Sequence, residues 1–330
     1  MTARGAVAAM TAYTLELREA EVKLNQNESP YDFPLKAEAL ASLLERPWNV
    51  YPDFESSALR NALADAYGLN AANILVGNGS NELLAAAIGT FVGPGTPVIV
   101  PRPTFALYEK LVTIAGGVVI AIDFDPRTGF LPLEAMLDAA TPDSVVIFCS
   151  PSNPTGSVLP QGGLQRLLDT GATVLFDRAY GEFANDTFPP LHERLVTFST
   201  FSKAWGLAAL RIGWLASTEA TCREIRKVKL PYSLNVLSER IAVMALEQRD
   251  VCERNVACII AERERMLNAM LALRGVEVLP TRANFIAFRG VATFDDFLAR
   301  GILIRDVGKG WLRVSIGTPE QNDRFLEVLR

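Results

Sequence analysis

Residues 199–211 read Ser-Thr-Phe-Ser-Lys-Ala-Trp-Gly-Leu-Ala-Ala-Leu-Arg, and the rest of the chain is organised around this stretch. It lies between two apolar runs, 195–198 and 212–216, which predict a buried strand on either side. The stretch therefore indicates a loop that places polar side chains at the end of a buried strand.

Lys203 lies in this loop beside Thr200 and Ser202, and Arg211 follows eight residues later. A lysine that acts as nucleophile and base needs a lowered amine pKa, which burial and nearby cations favour. Most lysines are surface residues, and that is the alternative for this one. We interpret Lys203 as an amine that holds an aldehyde cofactor as a Schiff base, with Arg211 as a fork for a phosphate.

The region before this loop alternates between strand and helix patterns. Strands that are apolar throughout indicate an α/β fold whose sheet is mostly parallel and covered by helices on both faces. Ligands of such sheets bind at the carboxyl ends of the strands, where the motifs below are located. The predicted strands are 74–76, 98–100, 118–122, 144–149 and 173–176, and the predicted helices between them are 82–91, 105–115, 131–140 and 164–169.

A chain of 330 residues predicts one large and one smaller domain. We expect an N-terminal arm over 1–34 that joins the smaller domain, a large α/β domain over 35–248, and a small α+β domain over 249–330. A long amphipathic helix, roughly 249–273, opens the last of these. Its strands are predicted near 276–279, 285–288, 302–305 and 312–315.

The composition argues against several classes of function. A net charge of −5 disfavours nucleic acid and an anionic membrane surface as partners. One histidine and four dispersed cysteines form no metal-ligand pattern, so we expect no metal and free thiols in the cytoplasm. The N-terminal run 5–10 is only weakly apolar, which disfavours a signal peptide. Glycine and proline break the uncharged stretch 83–101, so we expect no membrane span there.

A glycine-rich turn, Gly-Asn-Gly-Ser-Asn-Glu at 77–82, opens one of the predicted helices. Free N–H groups and the helix dipole favour an anion there, and Ser80 and Asn81 can add side-chain donors, which indicates a phosphate cradle. An ordinary helix cap formed by Ser80 and Glu82 is the alternative. The glycine spacing is not that of dinucleotide-binding turns, and no P-loop lysine follows, so nucleotide binding is disfavoured.

Further polar residues follow the other strands. Two prolines hold the loop around Asn153 extended, so its amide can donate to a phenolate-like oxygen, and a plain turn is the alternative. Asp177 ends a buried strand, where a carboxylate needs a partner such as a protonated pyridine nitrogen or, alternatively, Arg178. If Asp177 holds a pyridine ring, Tyr180 can reach an oxygen on that ring. Phe105 can stack on such a flat ring or, alternatively, pack in the core.

Arg313 is a charge within an apolar strand pattern, 311–317. An arginine in such a place usually has an anionic partner. A substrate carboxylate is our functional interpretation, and a structural ion pair is the alternative.

The order and context of these residues resemble those of fold-type I pyridoxal-phosphate aminotransferases and, within that group, of the histidinol-phosphate aminotransferase family. The resemblance spans about residue 24 to the C-terminus. Ser29, Phe105 and Ala209 depart from the family pattern without touching the core chemistry. The motifs that carry the resemblance are Leu-Asn-Gln-Asn-Glu-Ser-Pro-Tyr at 24–31, Tyr-Pro-Asp at 51–53, Gly-Ser-Asn-Glu at 79–82, Asn-Pro-Thr-Gly at 153–156, Asp-Arg-Ala-Tyr at 177–180 and Gly-Ile-Leu-Ile-Arg-Asp at 301–306.

The resemblance implies how the ring of pyridoxal 5'-phosphate is held. Lys203 would bond it covalently and, after the substrate displaces the lysine, would move a proton between the substrate carbon and the cofactor carbon. Asp177 would keep the pyridine nitrogen protonated, so that the ring acts as an electron sink. Asn153 and Tyr180 would bond the ring oxygen, and Phe105 would stack on the ring.

The resemblance also implies how the phosphate and the substrate are bound. Arg313 would bind the substrate carboxylate, and Asn153 would also contact the substrate. Tyr31 and Arg305 would lie near the variable part of the substrate. Tyr51 would reach the phosphate in the partner subunit, which implies an obligate homodimer. The residues that would hold the phosphate within one chain are Ser80, Asn81, Thr200, Ser202 and Arg211.

The activity implied is transfer of an amino group between L-histidinol phosphate and 2-oxoglutarate in histidine biosynthesis. An aromatic or broad-specificity aminotransferase and a threonine-phosphate decarboxylase stay open, because the sequence does not show which substrate bond is set perpendicular to the ring. A binding protein that keeps only the fold is disfavoured by the presence of Lys203 and Asp177.

Overall fold

The computed structural model describes residues 2–12, 18–44, 46–125 and 127–330. Residues 13–17 of the predicted N-terminal arm lie outside the described residues. The strands are β1 (Val22–Lys23), β2 (Ile74–Asn78), β3 (Pro97–Arg102), β4 (Val118–Asp123), β5 (Val145–Cys149), β6 (Thr173–Asp177), β7 (Leu195–Thr200), β8 (Ile212–Ala216), β9 (Glu277–Val278), β10 (Phe285–Arg289), β11 (Ile302–Leu303), β12 (Arg305–Gly308) and β13 (Trp311–Ser315). The α-helices are α1 (Gly5–Ala8), α2 (Lys36–Ala41), α3 (Ser57–Tyr67), α4 (Ser80–Phe91), α5 (Leu107–Ala115), α6 (Leu133–Ala139), α7 (Gly163–Asp169), α8 (Glu219–Arg226), α9 (Val236–Glu247), α10 (Arg249–Leu271), α11 (Phe294–Ala299) and α12 (Pro319–Leu329).

Seven of the described strands form the large sheet, in the order β2-β8-β7-β6-β5-β3-β4. β8 is antiparallel to both of its neighbours, and all other neighbours are parallel. Alternate residues of β5 face opposite cores, since Val145 and Ile147 join one cluster with α4 and α9, while Val146 and Phe148 join another with α6 and α7. The predicted α/β fold with a mostly parallel, doubly covered sheet is confirmed.

The small sheet is antiparallel, in the order β12-β13-β10-β9. Aromatic rings pack the small sheet against two helices. The ring centroid of Phe288 in β10 lies 5.9 Å from that of Phe297 in α11 and 5.4 Å from that of Phe325 in α12. The single strand predicted at 302–305 is wrong. It divides into β11 and β12, because β11 pairs with β1 whereas β12 pairs with β13.

The N-terminal segment is attached to the small sheet. β1 pairs in parallel with β11, and the Leu24 carbonyl accepts from the Ser315 amide at 2.8 Å. Two residues of strand are too short to show a sequence pattern, so the segment carries no strand signal of its own. The boundaries of the domains stay a prediction. Of the helices within the described ranges, none has the length and hydropathy that a membrane span requires.

Candidate active site

The carboxyl ends of six strands of the large sheet lie at one edge, and five of these six strands border the site. β3, β5, β6 and β7 run in parallel, and β2 has the same direction because both β2 and β7 are antiparallel to β8. Their carboxyl ends border a cavity of about 420 Å³, a size typical of small-ligand sites. The predicted site residues that line this cavity are Ser80, Asn81, Phe105, Asn153, Asp177, Tyr180, Thr200, Ser202, Lys203, Arg211, Arg305 and Arg313.

Lys203 follows the end of β7, and its amine points into the cavity. The Nζ atom donates to the backbone carbonyl of Gln26 at 2.7 Å. Burial, followed by the positive charge of Arg313, lowers the pKa of Lys203 to about 8. An amine with this pKa is partly unprotonated near neutral pH, as a lysine nucleophile requires.

Asp177, the last residue of β6, presents a carboxylate to the same cavity. Its Oδ2 accepts from the Tyr108 hydroxyl at 2.6 Å, and its Oδ1 accepts from the Ala179 amide at 2.9 Å. Burial raises the pKa of Asp177, and these two hydrogen bonds act in the opposite direction. Arg178, the alternative partner predicted from sequence, instead donates to the Asp186 carbonyl at 3.0 Å.

The start of α4 and the loop after β7 form a cradle for an anion. Gly79 is the residue that caps α4, so the alternative of a helix cap by Ser80 does not hold, and Ser80 itself is the first helical residue. Arg211 donates to the Ser202 hydroxyl at 3.3 Å, and a side chain at Gly79 would come within 2.6 Å of the Arg211 guanidinium. The close approach of the helix N-terminus and the guanidinium is a geometry that suits a phosphate.

Arg211 is also held in an uncommon backbone conformation. Its φ is 53°, in the left-handed region that a residue with a side chain occupies at a cost of about 1–2 kcal/mol. Strained residues of this kind cluster at ligand sites.

Arg313 closes the opposite side of the cavity from β13. Its Nη1 donates to Oδ1 of Asn153 at 2.5 Å, and its Nη2 donates to the Asn25 carbonyl at 2.7 Å. Arg305 of β12 lies directly opposite Arg313 in the strand register. Like charges directly opposite each other destabilise a sheet, and an anion bound between them would remove that cost.

Two predicted residues lie outside the cavity of a single chain. Tyr31 follows a turn in which Ser29 Oγ donates to the Tyr31 carbonyl at 3.2 Å, and its hydroxyl faces Cys258 of α10. Tyr51 is 77% exposed and stacks on Tyr232, with ring centroids 4.7 Å apart. Neither residue contacts Lys203 or Asp177 in the described geometry.

Sequence reasoning missed Tyr108 and the residues at 25–27. Tyr108 is buried and lies three residues after Phe105, whose carbonyl accepts from the Tyr108 amide at 3.1 Å, and the two ring centroids are 5.7 Å apart, so the spacing from Phe105 was the signal available. Asn25, Gln26 and Asn27 line the cavity. They were part of the recognised motif, but nothing in the sequence indicated that a segment so far from Lys203 would cover it.

The donor set fits a flat, phosphorylated aldehyde such as pyridoxal phosphate. Lys203 offers an amine with a lowered pKa for the aldehyde, and Asp177 offers a carboxylate for a protonated ring nitrogen. Phe105 borders the cavity with an aromatic ring, and the Gly79–Arg211 cradle suits the phosphate.

The α/β architecture around this large, mostly parallel sheet is that of fold-type I enzymes. The chain belongs to the aminotransferase class I and II family, whose sequence pattern matches residues 19–329. The aminotransferase resemblance predicted from the sequence is thereby confirmed.

Individual relatives agree with this family. The histidinol-phosphate aminotransferase of Aquifex aeolicus is 35% identical, with 97% of this chain and 95% of the relative aligned. That of Pyrococcus furiosus is also 35% identical, over 93% of this chain and 91% of its own length. The crystal structure of histidinol-phosphate aminotransferase from Sinorhizobium meliloti in complex with pyridoxal-5'-phosphate is 26% identical, with a TM-score of 0.84 over 99% of this chain and 97% of that one.

Proposed function

We propose that the protein transfers the amino group of L-histidinol phosphate to 2-oxoglutarate, with pyridoxal 5'-phosphate as cofactor, forming imidazole acetol phosphate and L-glutamate in histidine biosynthesis. The observation that carries the proposal is the single cavity that joins Lys203, Asp177, Asn153, Tyr180 and Arg211. The names of the relatives support the choice of substrate.

Different residues around the cavity would hold different parts of the cofactor. Lys203 would bind its aldehyde, and Asp177 would hold the proton of the ring nitrogen by charge. The bound cofactor supplies an electron sink and stores the amino group between the two half-reactions. Once the substrate amine has replaced it on the aldehyde, the freed Lys203 amine would carry the proton away from the substrate carbon, since its lowered pKa suits a base near neutral pH. The phosphate would be held by Ser80, Asn81, Thr200, Ser202 and Arg211.

Arg313 and Arg305 would bind the anionic parts of the substrates. Both line the cavity, and their opposed positions in the small sheet support a dicarboxylate or a phosphorylated amine as ligand. Asn153, which accepts from Arg313, lies between this pair and the cofactor side of the cavity. Tyr31, which faces α10, stays a prediction as a substrate contact.

A homodimer would complete the site, with Tyr51 reaching the phosphate bound by the partner subunit. An exposed aromatic surface formed by Trp48, Tyr51, Phe54 and Tyr232 supports a protein interface there. Mixing two inactive variants, Lys203→Ala and Tyr51→Ala, tests this. One intact site forms per mixed dimer, so we expect about a quarter of wild-type activity after subunit exchange. No recovery in exchanged dimers would contradict the shared site.

The remaining predictions fit the same enzyme. The small domain would begin at α10 and carry the substrate arginine, with the N-terminal arm attached through β1. A cytoplasmic location is supported by the four cysteines, which are free thiols.

The purified protein should be assayed with L-histidinol phosphate, L-phenylalanine and O-phospho-L-threonine, each with 2-oxoglutarate. Glutamate and carbon dioxide are measured separately. We expect glutamate from histidinol phosphate at the highest kcat/KM, and no carbon dioxide above the level without enzyme. Carbon dioxide from phosphothreonine as the main product would replace this proposal with a decarboxylase, and a preference for phenylalanine would replace it with an aromatic aminotransferase.

A further inference from the structure

Asn27 connects three parts of the chain beside the cavity. It is 1% exposed and has a φ of 55°, in the left-handed region. Its backbone amide donates to Ser315 Oγ at 2.8 Å, and its carbonyl accepts from Asn284 Nδ2 at 3.1 Å. These two bonds fix the backbone of the N-terminal segment on the small sheet and leave the side chain for a separate task.

The side-chain amide of Asn27 is oriented by Ser315. The Ser315 hydroxyl accepts from the Asn27 backbone amide, and it donates its single proton to Asn27 Oδ1 at 3.2 Å. The oxygen of the amide therefore faces Ser315, and the nitrogen faces the other way. There, Asn27 Nδ2 donates to the Tyr180 hydroxyl at 2.9 Å.

This bond determines what Tyr180 can do. Burial raises the pKa of Tyr180, so its side chain is a neutral phenol with one proton to donate. Because the hydroxyl oxygen already accepts from Asn27, its proton must point to a different acceptor. The ring of Tyr180 is fixed edge-on against Phe285, with centroids 5.1 Å apart, and the residue lines the cavity.

We propose that Asn27 is a positioning residue that makes Tyr180 a hydrogen-bond donor into the cavity, toward the ring oxygen of the bound cofactor. The inference rests on the proposed function, since it concerns the cofactor named there. A hydroxyl that donates to the ring oxygen disperses negative charge, which lowers the pKa of the nitrogen that links Lys203 to the cofactor. Asn27 thus tunes that nitrogen through Tyr180 without touching the cofactor.

The test uses a substitution that reverses the hydrogen bond. Asn27→Asp keeps the size of the side chain and tolerates the left-handed backbone, but its carboxylate can only accept, so the Tyr180 hydroxyl would donate its hydrogen bond to that carboxylate instead of into the cavity. The readout is the pH titration of the visible absorbance of the holoenzyme, with thermal unfolding measured beside it. A double-mutant cycle compares the wild type with Asn27→Asp, Tyr180→Phe and the double variant. Asn27→Gly is a second variant at the same position, since glycine also adopts the left-handed backbone conformation.

We expect Asn27→Asp to raise the apparent pKa of the absorbance by about one pH unit. Tyr180→Phe should raise it similarly, and adding Asn27→Asp to Tyr180→Phe should change nothing further. Asn27→Gly should raise it by a smaller amount. A wild-type titration in Asn27→Asp and Asn27→Gly would overturn the inference. So would an equal shift with and without Tyr180, which would show a direct charge effect. A wild-type protein with no visible band would instead overturn the proposed function together with the inference.

Discussion

On the large-sheet side of the cavity, Asp177 and Lys203 are each positioned by the end of their own strand. On the small-sheet side, Arg313 and the N-terminal segment reach the cavity through contacts between residues that are far apart in sequence. Arg313 contacts Asn153 across 160 positions and Asn25 across 288. The first side is built from local motifs on a rigid frame, and the second is assembled by the tertiary fold.

This difference predicts two kinds of variant. A substitution on the large-sheet side should remove the cofactor or its chemistry and affect every substrate alike. A substitution of a substrate-binding arginine on the small-sheet side should leave the cofactor bound and weaken the use of particular substrates. The predictions below test this division.

Lys203→Ala should have the largest effect, a loss of at least about 10⁴-fold in kcat with all amino donors, because both the covalent link and the base are removed. The visible absorbance of the lysine-bound cofactor should also disappear. Lys227→Ala is the matched control, since Lys227 is an exposed lysine paired with Glu224. Full activity in Lys203→Ala would exclude it as the reactive lysine.

Asp177→Ala should lower kcat by about 10³-fold, since the charge that keeps the ring nitrogen protonated is lost. The cofactor should still bind through Lys203, and its absorbance band should shift. Single-turnover kinetics of the first half-reaction is the measurement. A loss of less than tenfold would show that Asp177 has no contact with the ring.

Arg313→Gln should reduce kcat/KM for 2-oxoglutarate by about 100-fold while the cofactor spectrum stays that of the wild type. Arg289→Gln is the control on the neighbouring strand, since Arg289 pairs with the exposed Glu277. If Arg313→Gln lost the cofactor while its KM for 2-oxoglutarate stayed that of the wild type, the division between the two sides of the cavity would be wrong.

The rate at which apoprotein takes up pyridoxal phosphate should rise with pH. The pKa of Lys203 is lowered to about 8, so its reactive neutral fraction increases about 50-fold from pH 6 to pH 8 and levels off above that. Stopped-flow absorbance measures the rate, and a simple alkylamine of ordinary pKa provides the reference curve. A rate that climbs through pH 10 in parallel with the alkylamine would contradict the lowered pKa.

Tyr108→Phe should have the smallest effect, a loss of about tenfold in cofactor affinity. It removes one hydrogen bond to a carboxylate and keeps the buried ring, and such bonds contribute about 1.5 kcal/mol or somewhat more. Equilibrium binding to apoprotein is the measurement. Unchanged affinity would mean that the Ala179 amide alone is enough to orient Asp177.

The same division explains how much of the molecule the sequence could predict. Lys203, Asp177 and Asn153 each follow an apolar run whose period and composition predict a strand, and the carboxyl ends of parallel strands meet at one edge. The role of Asn27 depends on Tyr180, Ser315 and Asn284, which no local pattern connects to it.

Short elements were hard to predict for the same reason. β1 and β11 have two residues each and exist because they pair with each other. Tyr31 and Tyr51 belong to sequence motifs, as the other site residues do. The position of Tyr31 depends on the turn at Ser29, and Tyr51 lies on an exposed surface. Sequence spacing alone gives neither position.

The most direct test of the proposed site is to locate the cofactor on the chain. Holoenzyme is reduced with borohydride, which makes the link to lysine permanent, then digested and mapped by mass spectrometry. We predict that the phosphopyridoxyl group is found on the peptide containing Lys203 and on no other lysine in stoichiometric amount. Stoichiometric labelling of a different lysine, or no label in protein purified with its visible band, would contradict the assignment.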